Sequence, residues 1–245
     1  MKNLLIYTNP SKEFSEENKT LVKIHIDNSF DLGWKKEDIL LYTNFKYSFN
    51  GISAIQVPDN LHLKWDQSSN KILVIDYLLK KRLLNQDLYW YHDFDAYQNE
   101  IITEEELNLE TLDIGVTGYG YKAQINGGSI FFRENAIDIF DLWSRELQKV
   151  IRTRADEKTM TDLIRAKRID WYKWLNITYN FGMRHTKGNY RRAIKPLKVL
   201  HFHPNYNDKY LPASTKECFM YGKNPIGIPY MTKRLIKIFN KHGVN

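Results

Sequence analysis

The run Leu88-Tyr89-Trp90-Tyr91 is apolar and aromatic without alternation, and Asp93-Phe94-Asp95 follows it directly after His92. A strand with a large apolar side chain at every position must be covered on both faces. That is the condition of a central strand in a parallel sheet flanked by helices. Such sheets bind their ligands at the carboxyl ends of the strands, where Asp93 and Asp95 stand with His92 and Gln98 on either side. Two carboxylates at a strand exit offer hard oxygen donors to a divalent cation, provided the chain bends so that positions i and i+2 converge. The same pair can also cap a turn or open a helix. The apolar strand in front, the aromatic between the acids and the polar motifs downstream favour the metal.

The chain before this point reads as α/β. A strand over Asn3 to Thr8 leads through Asn9-Pro10-Ser11 into a helix from Ser15 to Leu32, with Leu21, Ile24, Asn28 and Leu32 at helical spacing and Gly33 as its stop. Strands follow over Asp38 to Tyr42 and Ala54 to Val57, then a helix over Ser68 to Leu84. Leu5-Ile6-Tyr7-Thr8-Asn9 is echoed by Leu40-Leu41-Tyr42-Thr43-Asn44, as two βα units with parallel strands would be. Tyr7, Thr8 and Asn9 at the first strand's end are candidates for holding a base or ribose.

After the two acids, Glu100 to Glu110 is an acidic surface helix or loop and Leu112 to Thr117 a strand. Gly118-Tyr119-Gly120-Tyr121 reads as a mobile loop. Asn126-Gly127-Gly128 reads as a turn opening into the apolar strand Ser129 to Arg133; its glycines let backbone approach a ligand, and Asn126 can hydrogen-bond sugar hydroxyls. Helices are expected over Glu134 to Ile151 and Asp156 to Arg168, the second opened by Asp156-Glu157. Trp171 to Phe181 is an aromatic segment expected to pack under the active face, Met183 to Arg192 a basic loop, Leu197 to Phe202 a last strand, and Met231 to Lys241 a basic amphipathic helix.

Charge is divided unevenly. Residues 1–150 carry 16 Lys/Arg against 23 Asp/Glu, whereas 151–245 carry 20 against 6. A basic part of that size suits anionic ligands such as nucleotide diphosphates, nucleic acid or an anionic membrane. Cys218 is the only cysteine, which excludes an intramolecular disulfide and disfavours a cysteine-based zinc site. No stretch approaches the roughly 18 apolar residues of a membrane span, and Met1 to Tyr7 is too short an apolar run for a signal peptide, so a soluble, cytoplasmic protein is expected.

Two βα units, Asp93-Phe94-Asp95 at a strand end, Asn126-Gly127-Gly128-Ser129 before a strand, Asp156-Glu157 opening a helix and a late His201-Phe202-His203 come in an order that resembles the GT-A fold glycosyltransferases over roughly residues 3–204. The resemblance implies one α/β domain over 1–245 with a mostly parallel central sheet flanked by helices. Residues 1–98 would be its Rossmann-like nucleotide-binding half, 99–204 its donor and acceptor half, and 205–245 a basic extension with a helix. It implies transfer of a sugar from a nucleotide sugar, such as a UDP-sugar, to an acceptor hydroxyl, with Mn²⁺ or Mg²⁺ held by Asp95, by Asp93 and by His201 or His203. Asp93 could instead touch the ribose. Lys71, Gly127 and Gly128 would contact the nucleotide sugar. Asn126, Asp156 and Glu157 would lie at the reacting centre, one of the acids being the base of an inverting reaction; a retaining enzyme needs none there. Retaining glycogenin-like families carry Lys-Pro-Trp after the late histidine, where this chain has Pro204-Asn205-Tyr206.

A nucleotidyltransferase is the alternative enzyme, although the loop Thr8 to Lys12 lacks the glycines such enzymes carry there. A non-catalytic nucleic-acid-binding protein would account for the basic part and leave the two acids unexplained. The chain is similar also to phage-encoded GT-A proteins, some of which glycosylate hydroxymethylated bases in DNA; a glycan or protein acceptor is equally open. If the basic part serves a polyanionic acceptor such as DNA, affinity for duplex DNA will fall steeply with salt. Titrating duplex DNA and anionic vesicles against the parent and against Arg191→Ala with Arg192→Ala, at several salt concentrations, checks this. Absence of binding to both at low salt would leave a neutral glycan or protein hydroxyl as the acceptor.

Overall fold

The computed structural model describes residues 1–85, 88–109, 112–120, 123–151, 155–182, 186–202 and 230–244. The chain opens with β1 (Lys2–Tyr7), α1 (Glu16–Asp31), β2 (Ile39–Thr43) and three two-residue strands, β3 (Ser48–Phe49), β4 (Ile52–Ser53) and β5 (Ile55–Gln56). Next come α2 (Asn70–Lys80), β6 (Tyr89–His92), β7 (Ala96–Gln98), α3 (Glu104–Leu107), β8 (Ile114–Gly118) and β9 (Ile125–Phe132). The second half holds α4 (Ile137–Leu147), α5 (Ala155–Arg165), β10 (Tyr172–Trp174), β11 (Phe181–Gly182), α6 (Thr186–Arg192), β12 (Val199–His201) and α7 (Lys233–Lys241).

Local chemistry sets the helix limits. The Ser15 side chain accepts from the Asn18 amide and caps α1, Glu16 and Glu17 complement its dipole, and Gly33 at φ +87° turns the chain out of it. Residues Gln67–Ser69 form a 3₁₀ turn ahead of α2, and Arg82 at φ +54° ends that helix short of the expected Leu84.

Seven strands form the main sheet in the order β10-β8-β9-β6-β1-β2-β5, in which β9 runs antiparallel to both of its neighbours and the other described pairings are parallel. Helices cover both faces. Residues of α2, α4 and α5 pack with Leu4, Ile6, Tyr89, Tyr91, Ile130 and Phe132 on one side, while residues of α1 and α7 pack with Leu5, Leu41, Tyr97 and Leu200 on the other. All four residues of β6 are buried, so the two-sided burial expected of Leu88 to Tyr91 holds. The echo between the first two βα units also has a physical use. The Asn9 amide donates to Asn44 Oδ1 at 2.9 Å and Asn44 Nδ2 donates to the Asn9 carbonyl at 2.9 Å, tying the two strand ends together.

A three-stranded sheet, β11-β12-β7, lies against the first. The chain leaves the main sheet at His92 and enters the small one at Ala96, and Asp93-Phe94-Asp95 is the bend between them. In the small sheet β12 is antiparallel to β7 with His201 opposite Ala96, which brings the late histidine beside the second acid.

Three local expectations are corrected. Asn126-Gly127-Gly128 is not a turn: it lies inside the eight-residue strand β9, because the space a side chain would take at each glycine is filled from other elements. The basic stretch before Arg192 is helical from Thr186. The aromatic segment Trp171 to Phe181 is divided: its start supplies the edge strand β10, with Trp171 63% and Trp174 48% exposed, while Leu175, Tyr179 and Phe181 are buried.

Helix α7 docks through the apolar stripe Leu235, Ile238 and Phe239, which is buried, so in this arrangement the stripe does not face a lipid surface. Among the described residues no helix is long and apolar enough to cross a membrane. Polar bonds on both sides of the stripe complete the contact. Arg234 Nη1 donates to Asn28 Oδ1 at 2.6 Å, and the buried Asp27 accepts from Lys241 Nζ at 2.6 Å and from His242 Nε2 at 2.8 Å. Burial pushes the Asp27 carboxyl up, but its bonds to Lys241 and His242 carry it below the usual range. A depressed carboxyl stabilises the fold above its unfolded value of about 4, and that stability is lost as pH falls through the folded value. Asp27→Asn should therefore cost about 1–3 kcal/mol at pH 7 in urea unfolding, with the gap to the parent closing as pH falls below the carboxyl's unfolded value.

Candidate active site

The bend between the two sheets is held from below. His25 of α1 donates from Nε2 to the Phe94 carbonyl at 3.0 Å and stacks on Tyr97, their ring centroids 4.4 Å apart. His92 donates from Nε2 to Asn3 Oδ1 at 2.9 Å, and the Asn3 amide is itself oriented by its donation to Ser29 Oγ. Burial drives the His92 imidazole down to about 4, so it is a neutral ring that fixes backbone rather than a charge. Phe94 turns away from the acids and stacks on Tyr7. Asp93 and Asp95 are left on the open side.

Ligand atoms of Asp93, Asp95 and His201 all lie within 4.8 Å of one another. Donors at 2.0–2.6 Å from a common ion are separated by no more than about twice that distance, so the three are spaced to hold one divalent cation. His201 Nε2 stands 3.1 Å from Asp95 Oδ1. Burial would lower this imidazole, yet the Asp95 carboxylate outweighs burial and holds it above its ordinary value. The ring lies flat over Gly128, where any β-carbon would overlap it. His203 is outside the described residues.

Next to the acids is a buried ion cluster. Lys71 of α2 donates to Asp93 at 2.9 and 3.1 Å and stands 3.1 Å from Asp156 Oδ2 at the start of α5. Burial alone would discharge the lysine, but Asp156 and Asp93 together hold it well above its usual value. Tyr91 donates to Asp93 Oδ1 at 2.5 Å. Asp93 is thus engaged by Lys71 and Tyr91, while Asp95 faces the His201 ring. A β-carbon at Gly127 would meet Asp156 Oδ2 at 2.8 Å, which explains the first glycine of the pair.

Glu157 differs from its neighbour. It accepts from the Tyr119 hydroxyl at 2.6 and 2.7 Å and from the Gly127 amide at 3.2 Å. Burial, then the adjacent Asp156 charge, raise its carboxyl above the usual range despite those bonds. The N-terminus of α5 is set by residues far away in sequence. Asp66 Oδ2 accepts from the Ala155 amide at 2.8 Å and Ser69 Oγ from the Asp156 amide at 3.1 Å.

An open cleft of about 290 Å³ runs from these groups to the end of β1, lined by Tyr7, Thr8, Gln67, Lys71, Asp93 and Asp95. The structure thus brings Tyr7, Thr8, Lys71, Asp93 and Asp95 to one cleft, with Asp156, Glu157, Gly127, Gly128 and His201 adjoining through the contacts above. Asn9 serves the loop after β1, donating from Nδ2 to the Glu13 carbonyl at 3.0 Å. Asn126 is fully buried, its Oδ1 accepting from the Gly128 amide at 3.1 Å. Tyr91, Tyr119, Asp66, Ser69, His25 and Asn180 were not singled out by sequence reasoning. Only Tyr119, between two glycines, carried a local signal.

No protein-family model and no curated protein sequence matches the chain. Solved structures do. The glycosyltransferase GlyE of Streptococcus pneumoniae TIGR4 superposes with a TM-score of 0.55 at 14% identity, covering 100% of this chain, which spans only 64% of GlyE. A glycosyltransferase involved in glycosylation of the major capsid of PBCV-1 gives 0.54 at 11% identity, covering 89% of this chain and 97% of that one. The galactosyltransferase LgtC, solved with donor and acceptor sugar analogs, gives 0.54 at 13%, covering 95% and 97%. The chain therefore has the GT-A fold of these enzymes, a mostly parallel central sheet flanked by helices.

Gly128→Ala should displace the His201 ring, weaken Mn²⁺ binding about 10–100-fold and cost about 1–3 kcal/mol of stability. Gly188→Ala in α6, where no atom lies within 4 Å of the added carbon, should do neither. Mn²⁺ titration followed by electron paramagnetic resonance, with thermal melts, distinguishes them.

Proposed function

We propose that this protein is a divalent-metal-dependent glycosyltransferase that moves a sugar from a nucleoside diphosphate sugar to an acceptor hydroxyl. The observation that carries the reading is the convergence of Asp93, Asp95 and His201 at the carboxyl end of β6, in a GT-A fold, beside the buried Lys71-Asp156 pair.

When bound, the ion supplies positive charge to the diphosphate as it leaves. The residues of the chain divide the remaining work. Lys71, kept protonated by its two carboxylates, holds Asp93 in place and offsets the negative charge that the acids would otherwise set beside the leaving group. Tyr7 and Thr8 at the far end of the cleft receive the nucleoside. In the reaction the bond from the anomeric carbon to the phosphate oxygen breaks with its electron pair going to the diphosphate. The acceptor oxygen bonds to that carbon, and the acceptor proton must be taken up.

Glu157 is the better proton acceptor of the two adjacent acids. Asp156 is neutralised by Lys71, whereas Glu157 has a raised carboxyl oriented by Tyr119 and the Gly127 amide. This is the role of an inverting reaction; if the product retains its configuration, the departing phosphate takes the proton and Glu157 faces the developing positive charge on the sugar. The acceptor is a glycan, a protein or a modified base in DNA, the last favoured only by the basic character of residues 151–245.

Nucleotide-sugar hydrolysis and transfer, assayed over a donor panel with and without Mn²⁺, tests the proposal. Asp95→Asn and excess EDTA should each lower turnover by about 100-fold or more, given several kcal/mol of metal stabilisation. Full activity in EDTA would overturn metal dependence, and inertness towards every donor would overturn the function. Glu157→Gln should cost about 10²–10⁴-fold. With Glu157 as base, kcat/KM of the parent should fall as pH drops through a value above the usual glutamate 4.3, and that acid limb should vanish in Glu157→Gln.

A further inference from the structure

We infer that Asn180 is a positioning residue that holds the His201 ring by its Nδ1–H, so that Nε2 faces Asp95 and is the nitrogen offered to a cation. The inference rests on the metal reading of the Asp93, Asp95 and His201 cluster. Asn180 follows the 3₁₀ turn Ile177–Tyr179, directly before β11, and is 1% exposed. Its amide touches two elements that are distant in sequence. Nδ2 donates to the Asn126 carbonyl at 3.1 Å, and Oδ1 stands 2.8 Å from His201 Nδ1.

These two contacts permit one assignment of protons. A backbone carbonyl only accepts, so the group facing Asn126 must be the NH₂; the flipped amide would set oxygen against oxygen there. Oδ1 is then the atom facing His201, and since it too only accepts, Nδ1 must carry a proton. With Nδ1–H committed to Asn180, Nε2 is the ring nitrogen that faces Asp95 Oδ1, 3.1 Å away, and it is the nitrogen that must give up its proton when a cation takes the place between them. The ring cannot turn away, because it is backed by Gly128 and its edge is held by Asn180. Asn180 thus links the strand carrying Asn126-Gly127-Gly128 to the histidine and presets the histidine before any ion arrives, the service that an outer-shell hydrogen-bond acceptor performs for a metal-binding imidazole.

The test reads Mn²⁺ uptake alone, by electron paramagnetic resonance of the free ion, for the parent, Asn180→Leu, Asn180→Asp and His201→Ala. It is joined by ¹⁵N spectroscopy of the parent loaded with diamagnetic Mg²⁺, to read whether His201 Nδ1 keeps its proton. Leucine keeps the volume and removes the acceptor; aspartate keeps the acceptor for Nδ1–H and loses the donation to Asn126. Affinity should fall about 10–100-fold in Asn180→Leu and stay within a few-fold of the parent in Asn180→Asp. A merely structural asparagine would give the opposite order, because a buried carboxylate facing a carbonyl disrupts packing more than leucine does. Equal Mn²⁺ affinity in the parent and Asn180→Leu would overturn the inference, as would weakening in Asn180→Asp as large as in Asn180→Leu, or a His201 Nδ1 found without its proton in the Mg²⁺-loaded parent. The Nδ1 measurement decides even where a variant fails to fold. If the parent binds Mn²⁺ no better than His201→Ala, the metal reading itself has failed, and with it the purpose assigned to Asn180, even where the proton is on Nδ1.

Discussion

A single buried ammonium, Lys71 Nζ, ties together the three parts of the candidate site. It is 4% exposed and sits between Asp93 from the bend after β6 and Asp156 from the first turn of α5. A lysine charge removed from water costs several kcal/mol unless carboxylates and hydrogen bonds answer it, so the fold is constrained to bring both acids to it. The constraint spreads outward. Asp156 can reach the lysine only because Gly127 has no side chain, and α5 can present Asp156 only because Asp66 and Ser69 hold its first amides. Removing either carboxylate would leave an uncompensated charge inside, which is more damaging than never having had the pair.

The second organising feature is the bend itself. A chain that passes from one sheet to another within three residues exposes carbonyls that must find partners, and here His25 and the edge of β12 supply them: the Phe94 carbonyl accepts from His25 and the Asp95 carbonyl from the Phe202 amide at 2.8 Å. The second bond lies next to His201, so the strand that satisfies the bend also delivers the imidazole. Placement of the three candidate ligands is a property of sheet pairing and does not depend on a loop.

How much of this could be read in advance follows from the range of each interaction. The apolar strand and its two acids were legible because burial on both faces and the exit from the sheet are local properties of eight consecutive residues. The parallel βα start was legible for the same reason, as were Asp156-Glu157 at a helix start. Asn126-Gly127-Gly128 was read as a turn because glycine pairs usually mark one; nothing local reveals that His201, more than seventy positions away, needs the space. Asn180 and Asp66 act on partners at separations of 21 and 89 residues with no spacing to betray them. The charge run ending at Arg192 looked like a solvated loop, and its helix carries little apolar periodicity to suggest otherwise. Which histidine serves as the third candidate ligand was open because two alternate along the strand; strand pairing sets His201 opposite Ala96, beside Asp95, and His203 lies outside the described residues.

The position of β9 has a further consequence for the chain as it leaves the ribosome. In the finished sheet β6 is flanked by β1, which precedes it, and by β9, which is synthesised about forty residues later. Until residue 132 has emerged, this fully buried aromatic strand is an open edge, with about half of its backbone groups unpaired. Residues 1–98 cannot therefore be a finished unit during synthesis, and closure of the sheet by an antiparallel insertion must wait for long-range pairing, which is slow and exposed to aggregation. A nascent chain built this way has reason to engage a chaperone before β9 has emerged.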